Sequence, residues 1–268
     1  MGGPGRPLAL LFLAAGAATA QVVPNRATRY LFPTDVTDAR ALWVNPAGLG
    51  RVVEASVHLD LTVGDPGATG RLRQLSAGFN SRGLSLGYER DVFDGGVHGH
   101  TYRIGFAIGH HRIAGGAAAA LYRGAASGTG WDLGFLYDPL PTLSVGGAIQ
   151  NIGRPEVRGE TLPVTYVPAA TARLLGPRVA LSAQGRLASD VVLGYAFAAR
   201  VGLREGSRRP VRLLARLDTD RSLKRAAFAF GLSVGADDVL GTVATTPGDV
   251  SRVDALSLYG VSTRRLTR

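Results

Sequence analysis

The sequence predicts an all-β fold: a transmembrane antiparallel β-barrel of about fourteen strands, entered by a short N-terminal plug. Three observations predict it. Apolar and polar side chains alternate with period two in segment after segment. No stretch beyond the N-terminus offers the ~20 apolar residues that a membrane helix needs, because charged or polar residues interrupt each one. And the chain opens with an export signal.

That signal is read in residues 1–20. Arg6 supplies the positive charge, Leu8 to Ala15 the apolar run, and Ala18-Thr19-Ala20 the small side chains that suit a signal peptidase, so cleavage is expected after Ala20. The apolar run is too short to span ~30 Å of hydrocarbon. Residues 21–50 are then expected to form the plug and 51–268 the barrel, with no charge run or Pro/Ser-rich linker to divide them.

The plug is read from Thr34 to Gly50, TDVTDARALWVNPAGLG, a polar start followed by a short helical stretch that Pro46 stops. The first strand follows at once: Val53, Ala55, Val57, Leu59, Leu61 and Val63 take one face, and Glu54, Ser56, His58, Asp60 and Thr62 the other. The same split recurs at Tyr102, Ile104, Phe106 and Ile108 against Thr101, Arg103, Gly105 and Ala107. It returns at Val211, Leu213, Ala215 and Leu217 against Arg212, Arg216 and Asp218. Further strands are expected near 71–80, 83–91, 112–122, 131–138, 141–151, 165–174, 178–188, 191–203, 223–234 and 253–264. Adding 238–245 makes the number even, as bacterial barrels prefer; twelve strands would result if weak neighbours merged.

Connections support the barrel over a β-sandwich. Ser81-Arg82, His110-His111, Asp138 to Pro141 and Leu175 to Pro177 are tight, whereas 91–100, 123–129 and 152–163 are longer, which is the alternation of inner turns and outer loops. Tyr88, Tyr102, Tyr122, Trp131, Tyr137, Tyr166 and Tyr259 fall near strand ends and are read as an interfacial aromatic girdle.

Composition narrows the chemistry. Cysteine is absent, which removes disulfides, thiolate metal sites and cysteine nucleophiles. The net charge of +10 rests almost wholly on arginine and favours anionic lipid or lipopolysaccharide as a partner. Without a basic aromatic stripe, nucleic acid is not expected. No cofactor is expected. His98, His100, His110 and His111 lie close in sequence, but a strand rising ~3.3 Å per residue separates the pairs, so no metal site is expected. His58 and Asp60 share a lumen face, yet no serine can be assigned to them, so no enzyme is expected.

The lumen-facing charges Glu54, Asp60, Glu89, Arg103, Asp132, Arg186, Arg212 and Arg216, joined by His58, have mixed sign and are expected to pair across the lumen. Small inward residues, Gly105, Ala107, Ser144, Gly146, Ala148, Ala227, Ala229 and Gly231, leave room for the plug or a solute.

The NPAGL element directly before an outer-membrane-type first strand resembles the PorV/PorQ-like proteins and, more distantly, the FadL family of hydrophobic-compound transporters. Gln150-Asn151-Ile152-Gly153, followed by Leu162-Pro163, resembles the PorV pattern of a strand, an outer loop and a new strand. The resemblance implies a barrel in the cell outer membrane with Asn45, Pro46, Ala47 and Gly48 at the hatch. On the FadL side it implies a plugged channel for small hydrophobic molecules. On the PorV side it implies a scaffold for a secreted protein partner, touched through Asn151, Gly153, Leu162 and Pro163. A sealed structural barrel is the third possibility.

Overall fold

A computed structural model of the chain describes residues 28–51, 54–64, 70–176, 178–189, 191–204, 206–247 and 252–265. The expected signal peptide, its cleavage point at Ala20 and the first residues of the plug lie outside the described residues.

Strands β1 (Glu54–Gly64), β2 (Arg71–Ser81), β3 (Leu84–Val92), β4 (His98–His110) and β5 (Ile113–Gly124) open the barrel. They are followed by β6 (Thr129–Leu140), β7 (Leu143–Ile152), β8 (Thr165–Leu174), β9 (Val179–Ala188) and β10 (Val191–Leu203). Then come β11 (Val211–Thr219), β12 (Arg225–Val234), β13 (Asp238–Pro247) and β14 (Ala255–Arg265). Each pairs antiparallel with the next, and β14 returns to β1, with Glu54 opposite Arg265 and Gly64 opposite Ala255. The fourteen-strand barrel is therefore closed, with no free edge, and the strand added to make the number even is present as β13.

Closure follows from the solvent. In hydrocarbon an unpaired backbone N–H or C=O costs several kcal/mol, so a sheet can cross only if its edges meet. Alternation then sorts the side chains. On β1, Val57 and Leu59 are exposed outward while Ser56, His58, Asp60 and Thr62 are buried. On β4, Tyr102, Ile104, Phe106 and Ile108 face out while Thr101, Arg103 and Ala107 face in. Among the described residues no helix is long and apolar enough to cross a membrane.

The end of the barrel that carries the start of β1 and the end of β14 has tight turns at Arg82-Gly83 and at His111, where φ is positive as two-residue hairpins require. The opposite end carries the outer loops. Alternation of short and long connections holds through β8 and inverts once, where β9 and β10 are joined at the loop end by residues 189–190 and β10 and β11 at the other by 204–210; it resumes with 220–224, 235–237 and 248–254. In the outer loops, three short strands, Ala126–Ser127, Glu156–Val157 and Glu160–Thr161, form a small separate sheet.

The girdle needs two corrections. Tyr102, Trp131, Tyr137 and Tyr166 face outward, but Tyr122 and Tyr259 are buried inside the barrel. Their register explains it. Tyr259 shares its face with Ser257 and Val261, opposite the exposed Leu258, and Tyr122 shares its face with Ala118 and Ala120.

Candidate functional site: the plugged lumen

Residues 28–51 run into the lumen and form one helical turn, Ala41–Val44, and a 3-10 turn, Pro46–Gly50. The segment touches wall strands on all sides. Thr34 Oγ1 lies 2.8 Å from Thr171 Oγ1 of β8, Asp35 receives Arg200 of β10 at 3.0 Å, and Tyr30 stacks on Tyr259 of β14 at 5.3 Å. Such contacts are possible only from inside the barrel.

The NPA tripeptide builds the turn that fits the lumen. Asn45 caps it: its Oδ1 accepts from the Ala47 N–H at 3.1 Å, and its Nδ2 donates to the Pro33 carbonyl at 2.9 Å and the Phe135 carbonyl of β6 at 3.3 Å. One side chain thus joins the turn, the incoming arm and the wall. Pro46 occupies the first helical position, where its missing N–H costs nothing.

Beneath this turn the wall has no side chains. A Cβ on Gly116 would lie 2.5 Å from the Pro46 carbonyl, and one on Gly134 would overlap Asn45 Oδ1. At Gly105 it would meet Leu42 at 2.5 Å, and at Gly87 Leu42 and Trp43 at 2.7 and 2.8 Å. Inward glycines on β3, β4, β5 and β6 therefore form the seat, and Gly48 matches them from the plug side, where a Cβ would overlap the Val36 carbonyl. Of these wall positions only Gly105 stands out in sequence as a small lumen residue; Gly87, Gly116 and Gly134 were legible only as further small residues on the inward register.

Around the seat, wall donors hold plug carbonyls. Arg103 donates to the Leu42 carbonyl at 3.3 Å, Gln150 to that of Val44 at 3.1 Å and Arg216 to that of Leu31 at 3.1 Å. Arg103 also pairs with Asp132 at 2.5 Å and lies 4.9 Å over the Trp43 ring, and Arg216 pairs with Asp218 and lies 4.6 Å over Phe32. The expectation that lumen charges pair across the lumen is therefore corrected. They pair with near neighbours on the wall and reach inward to the plug, because the plug occupies the space that a direct crossing would need.

Other predicted lumen residues are placed as follows. Arg186 and Arg212 stand on the inward register of β9 and β11, and Arg212 donates to the Gly235 carbonyl at 3.0 Å. The side chain of Glu54 lies outside the described residues. Arg51, where the plug meets the barrel rim, pairs with Asp138.

The wall of β1 to β3 is different. Ser56, His58, Asp60, Ser76, Asn80 and Glu89 all face the lumen, are buried, and carry side-chain atoms with no hydrogen-bond partner among the described residues. The closest approach of His58 to Asp60 is 3.6 Å. The hydroxyls of Ser56 and Ser76 make no hydrogen bond to either, so no nucleophile and base are aligned here. His98 and His110 lie at opposite ends of β4, and no group of three His, Cys, Asp or Glu suited to a metal ion occurs among the described residues.

In the outer loop, Asn151 donates to the Pro163 carbonyl at 3.3 Å, and its own N–H donates to Asp132. Leu162 is buried with Tyr122, Ala126 and Val157. Asn151 and Leu162 are thus committed to the loop's own packing, whereas Gly153 and Pro163 are exposed.

Between the plug arm and β11 to β14 lies a cavity of about 250 Å³. Its lining is mixed: Tyr30, Phe32, Leu214, Val243, Tyr259 and Val261 form an apolar patch, and Asp35, Asp38, Arg40, Arg200 and Arg212 a charged edge.

No protein-family model and no curated protein matches the chain. Solved structures do. The toluene transporter TbuX of Ralstonia pickettii superposes with a TM-score of 0.60 at 12% identity, covering 88% of this chain and 96% of its own. The monoaromatic hydrocarbon channel CymD gives 0.56 at 11% identity, covering 88% and 95%. A deltaS2 mutant of the monoaromatic hydrocarbon channel TodX gives 0.51 at 11%, covering 88% and 96%. None of these is a PorV/PorQ-type protein. The chain thus shares the fold of the outer-membrane hydrocarbon channels over most of its length.

Proposed function

We propose that this protein is a plugged, FadL-like outer-membrane channel for small hydrophobic molecules, of the size of a single aromatic ring. The observation that carries the reading is the cavity between the plug arm and β11 to β14, where an aromatic and aliphatic patch of Tyr30, Phe32, Leu214, Val243, Tyr259 and Val261 lies beside a charged edge. A cavity of ~150 Å³ has room for benzene, and this one, about 250 Å³, is large enough for a ring to lie on its apolar patch with space left at the charged edge. Fold likeness to channels titled for toluene and monoaromatic hydrocarbons supports the same class of solute. With Asn45, Pro46 and the glycine seat in place the lumen is filled, so passage requires the plug arm to move. No observation favours the secretion-scaffold reading, since Asn151 and Leu162 serve the loop itself.

A cysteine lock tests this in a chain that has no cysteine of its own. Thr34→Cys with Thr171→Cys places a disulfide across the contact between plug arm and β8. Uptake of labelled toluene by cells carrying the oxidised pair is expected to fall to the level of cells without the protein, and to recover on reduction. Wild-type uptake by the locked form would exclude plug movement as the gate; no uptake by the unmodified protein would exclude the function.

A further inference from the structure

On the outer surface near the loop end, Arg90 of β3 pairs in register with His100 of β4, and His100 with Arg123 of β5. Residues directly opposite in an antiparallel sheet share a face, so the three side chains form one row. The row two residues below it is Tyr88, Tyr102 and Leu121, and beneath that Leu86, Ile104 and Trp131 face the same way. Here the exterior changes from apolar to cationic in a single step.

The row lacks an anionic partner, its one hydrogen bond to the backbone among the described residues running from Arg123 to the Tyr122 carbonyl at 2.9 Å. Among the described residues no carboxylate pairs with Arg90 or Arg123, and the buried Nε–H of Arg90 has no acceptor. His100 is fixed by the Tyr88 hydroxyl at its Nδ1, 2.9 Å away, which leaves its other ring nitrogen for a ligand. The nearby Arg73 differs, since Asp94 satisfies it at 2.6 Å. Nor is the row a general property of the rim: β7 and β8 end in Ile152 and the outward Tyr166.

We infer that Arg90, His100 and Arg123 form a binding site for the phosphate of an outer-leaflet glycolipid, lipopolysaccharide in a bacterial outer membrane. Guanidinium groups match phosphate oxygens bidentately, and Tyr88, Tyr102 and Trp131 below would face the sugar and upper acyl chains. A lipid is favoured over a soluble phosphate because the row stands directly on the lipid-facing band. The site is independent of the solute that the lumen carries.

Native mass spectrometry of the full protein in detergent tests it, with bisphosphorylated lipid A and its dephosphorylated form as probes. Arg90→Gln with Arg123→Gln should weaken retention of the bisphosphorylated lipid at least about tenfold, equivalent to ~1.4 kcal/mol. Removing the same charge at the other end, with Arg208→Gln and Arg209→Gln, should change nothing; both are exposed in the turn between β10 and β11. Folding of each variant is checked by its heat-dependent gel shift. Equal loss in both double variants, equal binding of dephosphorylated lipid, or displacement by inorganic phosphate at matching concentration would each overturn the assignment.

Discussion

The plug meets two unlike walls. On the side of β3 to β7 it rests on inward glycines, is capped by Asn45 and is held by Arg103 and Gln150, which donate to plug carbonyls; among the described residues only Arg103 Nε and Trp43 Nε1 stay buried here without an acceptor. On the side of β1 and β2 it meets Ser56, His58, Asp60, Ser76 and Asn80, which are just as buried and, among the described residues, make no side-chain hydrogen bond, His58 and Asp60 coming no closer than 3.6 Å. The first wall is bound by fit and made hydrogen bonds. The second leaves polar groups whose desolvation is uncompensated, at a typical cost of ~1–3 kcal/mol each. Water entering along β1 and β2 would satisfy these groups, whereas water entering at the glycine seat would break made bonds. For the plug movement proposed above, the difference predicts the direction: the plug should part from the polar wall first and pivot on the seat.

The largest blow to this asymmetry is a side chain in the seat. Gly134→Val would drive atoms into Asn45 and the Ala47 N–H, 2.8 Å from where the new Cβ would stand. Overpacking of this kind costs ~1–3 kcal/mol or more. The barrel is expected to form with its plug displaced, seen as high conductance in planar bilayers and rapid proteolysis of residues 28–50.

Asn45→Ala comes next. It keeps the shape of the seat but removes three hydrogen bonds, and should cost ~1–3 kcal/mol of plug docking, read as faster hydrogen exchange at Ala47 with the barrel unchanged.

Acid should loosen the plug where Asp38 holds Arg40 against Tyr30 and Tyr259. Burial acts to raise the Asp38 carboxyl, but the charge and hydrogen bonds of Arg40 outweigh it and hold Asp38 below its ordinary value of 3.8. A carboxylate depressed in the folded plug contributes fully above 3.8, and its contribution, which holds Arg40 over the Tyr259 ring of β14 at 4.9 Å, is lost as the pH falls below that value. Plug release measured against pH should therefore rise below 3.8, and Asp38→Asn should flatten that rise.

The smallest effect carries the opposite sign. Ser76→Ala on the polar wall removes a hydroxyl with no partner, so docking should be unchanged or slightly stronger. A loss above ~1 kcal/mol in urea unfolding would mean that Ser76 has a partner, and the two walls would then be alike.

Much of this was legible in the sequence because period-two alternation is a local signal. It located the strands, reached about fourteen once the preference for an even number added 238–245, and put His58, Asp60, Arg103 and Arg216 on inward faces. The proline stop after Asn45 located the plug turn. What could not be read was how plug and wall meet. The acceptors are backbone carbonyls of Leu31, Leu42 and Val44, which every residue type possesses, so no side-chain pattern marks them. Gly87, Gly116 and Gly134 carry information only once the lumen's contents are known. Tyr122 and Tyr259 were assigned to the girdle because they are aromatic and near strand ends; their register, which says inward, is the stronger guide.

The seam between β1 and β14 bears on how the molecule is made. It joins the two ends of the barrel sequence, Glu54 to Arg265, while every other strand pairs with its neighbour in the chain. Contacts so distant in sequence carry the largest loop-closure cost and are the slowest to form. The glycine seat on β4 to β6 lies well away from the seam. A nascent open sheet can therefore receive the plug before it curls shut, and the last ladder to zip encloses a cargo already in position.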